Sequence, residues 1–210
     1  SVTVIMDKIK DISWQKTFGG KDNDGASSIQ QTTDGGYIIA GDKGGDVYIL
    51  KLNSKGEIEW QKTFGAKDYD EANSIQQTAD GGYIVAGDKG GDVYILKLNS
   101  KGEVEWQKTF GGEGIAGAFS IQQTKDGGYI VAGLTEPFGS EEADVYILKL
   151  NSKGDLEWQK TFGGGDDDVA TSIQQTMDGG YIVAGWTKSF GSGGEDAYIL
   201  KLDSKGEIEE

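Results

Sequence analysis

The sequence contains no cysteine, no histidine and no arginine, and only one proline. Without Cys there is no disulfide and no thiolate nucleophile. Without His there is no imidazole base, and the loss of both removes the usual zinc ligands. All 20 basic residues are lysines, set against 35 Asp plus Glu, for a formal charge of −15. An acidic surface without Arg repels phosphate, so neither a nucleic acid nor an anionic membrane surface is expected as a partner. No apolar run approaches the roughly 18 residues that a membrane span needs, so no membrane insertion is expected. No stretch shows a helical period. The 35 glycines fit a chain of short strands joined by tight turns.

What is present is a repeat. Trp-Gln-Lys-Thr-Phe-Gly begins at Trp14, Trp60, Trp106 and Trp158, at spacings of 46, 46 and 52 residues. Ser-Ile-Gln-Gln-Thr follows from Ser28, Ser74, Ser120 and Ser172, and Gly-Gly-Tyr-Ile from Gly35, Gly81, Gly127 and Gly179. Tyr-Ile-Leu-Lys-Leu closes each unit from Tyr48, Tyr94, Tyr146 and Tyr198. Periods in the forties suit four-stranded propeller blades. In the first unit, strands are predicted over 28–32, 37–40, 46–52 and 57–63, with turns at 33–36 and 53–56. The expectation is a single all-β domain, a four-bladed β-propeller over 1–210. Its units run 18–63, 64–109, 110–161 and 162–210 plus 11–17.

The stretch from Tyr48 to Trp60 resembles the repeat of quinoprotein-type (PQQ-like) propellers, where a strand ends in Leu-Asp, a Thr-Gly turn follows and a Trp lies a few residues on. The fuller pattern of Phe-Gly-Gly, Ser-Ile-Gln-Gln-Thr and Asp-Gly-Gly-Tyr resembles tandem propeller repeats of secreted and surface proteins of bacteria and archaea. That resemblance implies a fold and an extracellular or cell-surface location, but no activity. Quinone enzymes of the first kind use Arg and often a vicinal Cys pair. This chain has neither, so no cofactor is carried over. By the same resemblance 28–32 is the innermost strand and 57–63 the outermost. Glu210 then stands where the fourth outer strand would carry Trp, while Asp11–Thr17 is an outer strand with no inner partners. The expectation is that Asp11–Thr17 completes the fourth blade and closes the ring.

Strand alternation sorts the loops onto two faces. The Asp-Gly-Gly and Ser-Lys-Gly turns, uniform in all four units, share one face and suit a structural role. The other face varies, and loops that vary on a rigid frame are where binding is sought. Its longer loops, 134–143 and 186–195, bring Trp186, Phe138 and Phe190, with Glu141, Glu142 and Glu195, as candidate ligand contacts. Its lead-in loops pair Asp22 with Asp24, Asp68 with Asp70 and Asp166 with Asp168. Alternate carboxylates suit Ca²⁺, which takes roughly six to eight oxygens; the alternative is turn caps on a solvated surface. Gln30, Gln31, Gln76, Gln77, Gln122, Gln123, Gln174 and Gln175 lie on the innermost strands. One of each pair is expected to face a central channel, either as a polar ligand site or as a ring of amides that satisfy one another.

Nothing resembles a nucleophile elbow, and the recurring Asp34, Asp80, Asp126 and Asp178 suit turns. The leading expectation is a non-enzymatic module that presents its acidic variable face to a protein or glycan at a cell surface. The alternatives are a building block of an extracellular assembly, monomeric or polymeric by strand exchange, and a carboxylate-based hydrolase acting through Glu141, Glu142 or Glu195.

Overall fold

The computed structural model describes residues 13–65, 69–112, 114–137 and 139–208. It is all-β among these residues: four antiparallel sheets and no helix. The first sheet is a meander of β1 (Asp24–Gln31), β2 (Tyr37–Lys43), β3 (Asp46–Leu52) and β4 (Ile58–Phe64). The second repeats it with β5 (Asp70–Gln77), β6 (Tyr83–Lys89), β7 (Asp92–Leu98) and β8 (Val104–Phe110). The third does so with β9 (Gly114–Gln123), β10 (Tyr129–Pro137), β11 (Asp144–Leu150) and β12 (Leu156–Phe162). The fourth holds β13 (Asp168–Gln175), β14 (Tyr181–Thr187) and β15 (Asp196–Leu202), with an isolated bridge from Leu202 to Ile208.

The middle strands read as continuous apolar runs because both of their faces are covered. In β3, Val47 to Leu52 are all buried. Outer strands such as β4 are exposed except at the aromatic anchors Trp60 and Phe64, with one face wet. Each sheet stacks on the next through one recurring joint. Between the first two, Ile38, Ala40, Val47 and Ile49 meet Ala72, Ile75, Tyr83, Val85, Leu96 and Leu98. Trp60 of β4 reaches across to Tyr83, edge to face at 5.7 Å, and lies on the turn at Gly102. Trp106 on Tyr129 and Trp158 on Tyr181 repeat the contact at 5.7 and 5.8 Å.

The turns on the uniform face carry identical locks. Asp34 Oδ1 accepts from the Thr32 hydroxyl at 2.5 Å and from Gly36 N at 2.9 Å. Its other oxygen meets Lys51 Nζ at 2.9 Å, and that ammonium also donates to Glu59 at 2.7 Å and to the Leu52 carbonyl at 3.1 Å. The Thr32 hydroxyl first, and then Lys51, hold the Asp34 carboxyl at about 2. Lys51, Lys97 and Lys149 are buried cations inside apolar runs, paired as buried charge requires. In the turn between β3 and β4, Asn53 Oδ1 accepts from Lys55 N at 2.9 Å and Glu57 N at 3.0 Å.

The four sheets do not show a closed ring. Ile75, Ile121 and Ile173 are 4–5% exposed, but their counterpart Ile29 is 65% exposed. Ile49, Ile95 and Ile147 are fully buried, but their counterpart Ile199 is 59% exposed. Burying one such side chain is worth about 1.5–3 kcal/mol, so both half-joints leave stabilisation unrealised. Closure by Asp11–Thr17 is not seen either. Asp11 and Ile12 lie outside the described residues, and Ser13–Gly20 carries no strand ladder. The segment lies against the first sheet instead. Trp14 packs edge to face on Tyr37 at 5.9 Å, and Lys16 Nζ donates to Gly56 O at 2.7 Å. Trp14 and Phe18 so cover the first sheet as Trp60 and Phe64 of β4 cover the second. These contacts hold the segment where it is, and on its edge away from β14, among the described residues, β15 has only the bridge at Ile208.

Candidate functional site

The variable face is built by the lead-in loops to β1, β5, β9 and β13 and by the connections β2–β3, β6–β7, β10–β11 and β14–β15. A recurring backbone bond ties neighbouring loops. Asp70 N donates to Gly45 O at 2.8 Å, Ala116 N to Gly91 O at 2.7 Å and Asp168 N to Ala143 O at 2.6 Å. The lead-in loops to β5, β9 and β13 are therefore each held by the sheet before them.

The acidic pairs separate in this frame. Asp22 and Asp166 are exposed, and Asp68 lies outside the described residues. Asp70 and Asp168 are buried, at 1% and 0% exposure. Asp168 Oδ2 caps the loop, accepting from Gly164 N at 2.8 Å and from the Ser189 hydroxyl at 2.7 Å, and Asp24 caps Gly20 N in the same way. Asp24 Oδ1 and Asp168 Oδ1 are buried without a hydrogen-bond partner. Among the described residues, no three acidic side chains converge as a metal site would need.

Trp186 is not in a loop. It lies within β14, opposite Val169 and Ala197, because the ladder continues to Asp168–Thr187. It is half-buried, and Lys188 Nζ stands 5.4 Å from its ring centre. Lys188 also pairs with Asp167 at 2.9 Å. Phe190, 48% exposed, leans on Tyr198 with ring centres 5.5 Å apart. Phe138 lies outside the described residues. Glu141, Glu142 and Glu195 are exposed, and Glu142 shares hydrogen bonds with Ser140. Two clefts open on this face. One of about 450 Å³ lies between Asp22, Asp42, Gly45 and Tyr69. The other, of about 280 Å³, lies between Ile115, Glu136, Pro137, Tyr146 and Gln159. Ligand pockets run to roughly 300–1,000 Å³, so the first lies within that range and the second just below it.

The Gln residues join sheets. Gln30 Oε1 accepts from Gln77 N at 2.6 Å, Gln76 from Gln123 N at 2.7 Å and Gln122 from Gln175 N at 2.8 Å. In the other direction, Gln77 Oε1 accepts from Thr33 N at 2.9 Å, Gln123 from Ala79 N at 2.8 Å and Gln175 from Lys125 N at 2.9 Å. Gln31 and Gln174 hold the same places at the open joint.

One group is invisible to sequence reasoning. Glu71 and Asp88 lie opposite each other in the β5–β6 ladder. Ala118 N of the next sheet donates to Asp88 Oδ1 at 3.1 Å, and Asn73 Nδ2 reaches Asp88 at 3.4 Å. Burial, and then the Glu71 charge, push the Asp88 carboxyl up to about 7. The corresponding pairs are Gly25–Asp42, Gly117–Leu134 and Val169–Trp186, so the second sheet alone holds two facing acids there. The signal in the sequence is Glu at 71, and only the register makes it legible.

No protein-family model matches the sequence, and no curated protein matches it. Among solved structures the chain is similar to a protein of unknown function from Bacteroides caccae. The two are 16% identical over 90% of this chain and 81% of that one, with a TM-score of 0.43.

Proposed function

We propose that this chain is a non-enzymatic binding module of the β-propeller kind, its ring closed through the two half-joints at Ile29 and Ile199. It presents the variable face to a protein or glycan at a cell surface. The observation that carries the reading is the contrast between the faces. One face repeats the same locked turns at Asp34, Asp80, Asp126 and Asp178. The other differs in its lead-in loops and in the longer connections of the third and fourth sheets, and the fourth carries Trp186 under Lys188 and a half-exposed Phe190 on Tyr198. Aromatic rings edged by polar groups suit a sugar ring or an extended peptide. A glycan and peptide array probed with the intact chain is expected to return ligands whose binding falls at least tenfold in Trp186→Ala, with the sheet signal in circular dichroism kept. Ligands that bind Trp186→Ala equally well would remove the assignment.

Calcium is not required by this reading. Asp24 and Asp168 already act as caps on their own lead-in loops. Melts in millimolar calcium and in chelator are expected to coincide, since a ligand of the folded state alone must raise the midpoint. A saturable rise would make the Asp loops cation sites. A second reading, a building block of an assembly, is favoured by the two uncovered sheet faces.

A further inference from the structure

We infer that the open joint is filled by a second copy of this chain, so that two four-sheet arcs meet head to tail in one eight-bladed ring. The inference rests on the closed-ring reading above and names what closes the ring.

The two uncovered faces are complementary halves of a joint that the chain already builds three times. At each complete joint a Ser hydroxyl accepts from an Ile amide of the next sheet. The pairs are Ser28 with Ile75 N, Ser74 with Ile121 N and Ser120 with Ile173 N, all at 3.2 Å. The next member of the series is Ser172, exposed on the fourth sheet, and its donor is Ile29 N, on the exposed edge of the first. Likewise Gln174 is the next acceptor, and Gln31 N its donor. The apolar parts match as well. Ile182, Ala184, Ala197 and Ile199 stand where Ile38, Ala40, Val47 and Ile49 stand at the first joint, and Ile29 stands where Ile75 does. A hollow of about 560 Å³ bounded by Gln174, Met177, Ile182 and Lys201 lies on the uncovered fourth sheet.

Curvature selects the occupant. Three joints with the same contacts at the same distances impose the same rotation from sheet to sheet. A quarter turn at each would seat the fourth sheet on the first within one chain and bury Ile29 and Ile199. Both stay exposed, so the three joints do not seat the fourth sheet on the first. Propellers close with roughly four to eight blades. Whole copies of a four-sheet arc reach only four or eight in that range, and the single chain leaves Ile29 and Ile199 uncovered. Two copies related by a twofold axis satisfy both half-joints and leave no free face.

The test is the mass of the intact chain in solution, by sedimentation equilibrium across a hundredfold range of concentration. The expected result is twice 22.4 kDa for the wild type and 22.4 kDa for Ile199→Asp, with the same circular dichroism. Ile199 is already exposed in the single arc, so the variant keeps its fold. A dimer that survives Ile199→Asp, or a mass that climbs past two chains, would overturn the inference. So would a monomeric wild type, and hydrogen exchange then separates two failures. Ile29 and Gln31 amides as protected as those of Ile75 and Gln77 would mean that the chain closes on itself, and the ring reading stands. Unprotected amides would remove the ring reading too.

Discussion

Replacing Gly102 by alanine is expected to lower the unfolding free energy by about 2–4 kcal/mol, while the same change at Gly81 costs about 1–2 kcal/mol. Both glycines sit in the left-handed region, at φ 74° and 81°, so both substitutions carry the backbone cost of a Cβ there. They differ in surroundings. Nothing lies within 4 Å of a Cβ at Gly81, but a Cβ at Gly102 would stand 2.8 Å from the Trp60 ring. Trp60 is wedged between that turn and Tyr83, at the edge of the joint between the first two sheets. Moving the ring disturbs the joint. Urea denaturation of the two variants isolates this contribution as a difference. Equal losses would mean that the indole can retreat freely and that the Trp–Gly contact does not hold the sheets together.

Asp88→Asn is expected to stabilise the protein by about 2–4 kcal/mol at pH 8 and by little at pH 4. The folded Asp88 carboxyl is raised to about 7 from 3.8 by burial and by Glu71, so the folded state keeps a proton that the unfolded chain releases. Stability therefore falls as pH rises from about 4 to about 7, and is level above that as far as this group decides it. The amide keeps the shape and the acceptor for Ala118 N but carries no charge to desolvate. Urea midpoints of wild type and variant at pH 4, 6 and 8 check it. Parallel pH dependence in the two proteins would show that Asp88 is not the titrating group.

The repeat made much of this fold legible, and the misses have physical causes. Residues 46–52 are a strand as predicted, because the apolar run Val47–Leu50, continued by Leu52, is covered on both sides. Strand β1 starts at Asp24 rather than Ser28, since a bulge between Ala26 and Ser28 hides the alternation that would have announced it. Trp186 read as a loop residue because its place in the ladder depends on pairing with Val169, far away in sequence. The Gln pairs stand out by identity, but their partners lie 44 to 53 residues away, on neighbouring sheets. Ring closure is not legible for a related reason. Counting repeats gives the number of sheets, while closure depends on the rotation at each joint, which side-chain volumes set and no pattern of letters displays.

The central claim is that the faces around Ile29 and Ile199 are two halves of one joint, met across two chains. The absence of cysteine allows a direct test. Chains carrying only Ile29→Cys are mixed with chains carrying only Ile199→Cys and treated with a short bis-maleimide. The account predicts a covalent pair in the mixture, with neither variant pairing with itself, because the two Ile29 positions of a ring lie in different joints. Linkage only within single chains that carry both substitutions, or no linkage at all, would contradict it.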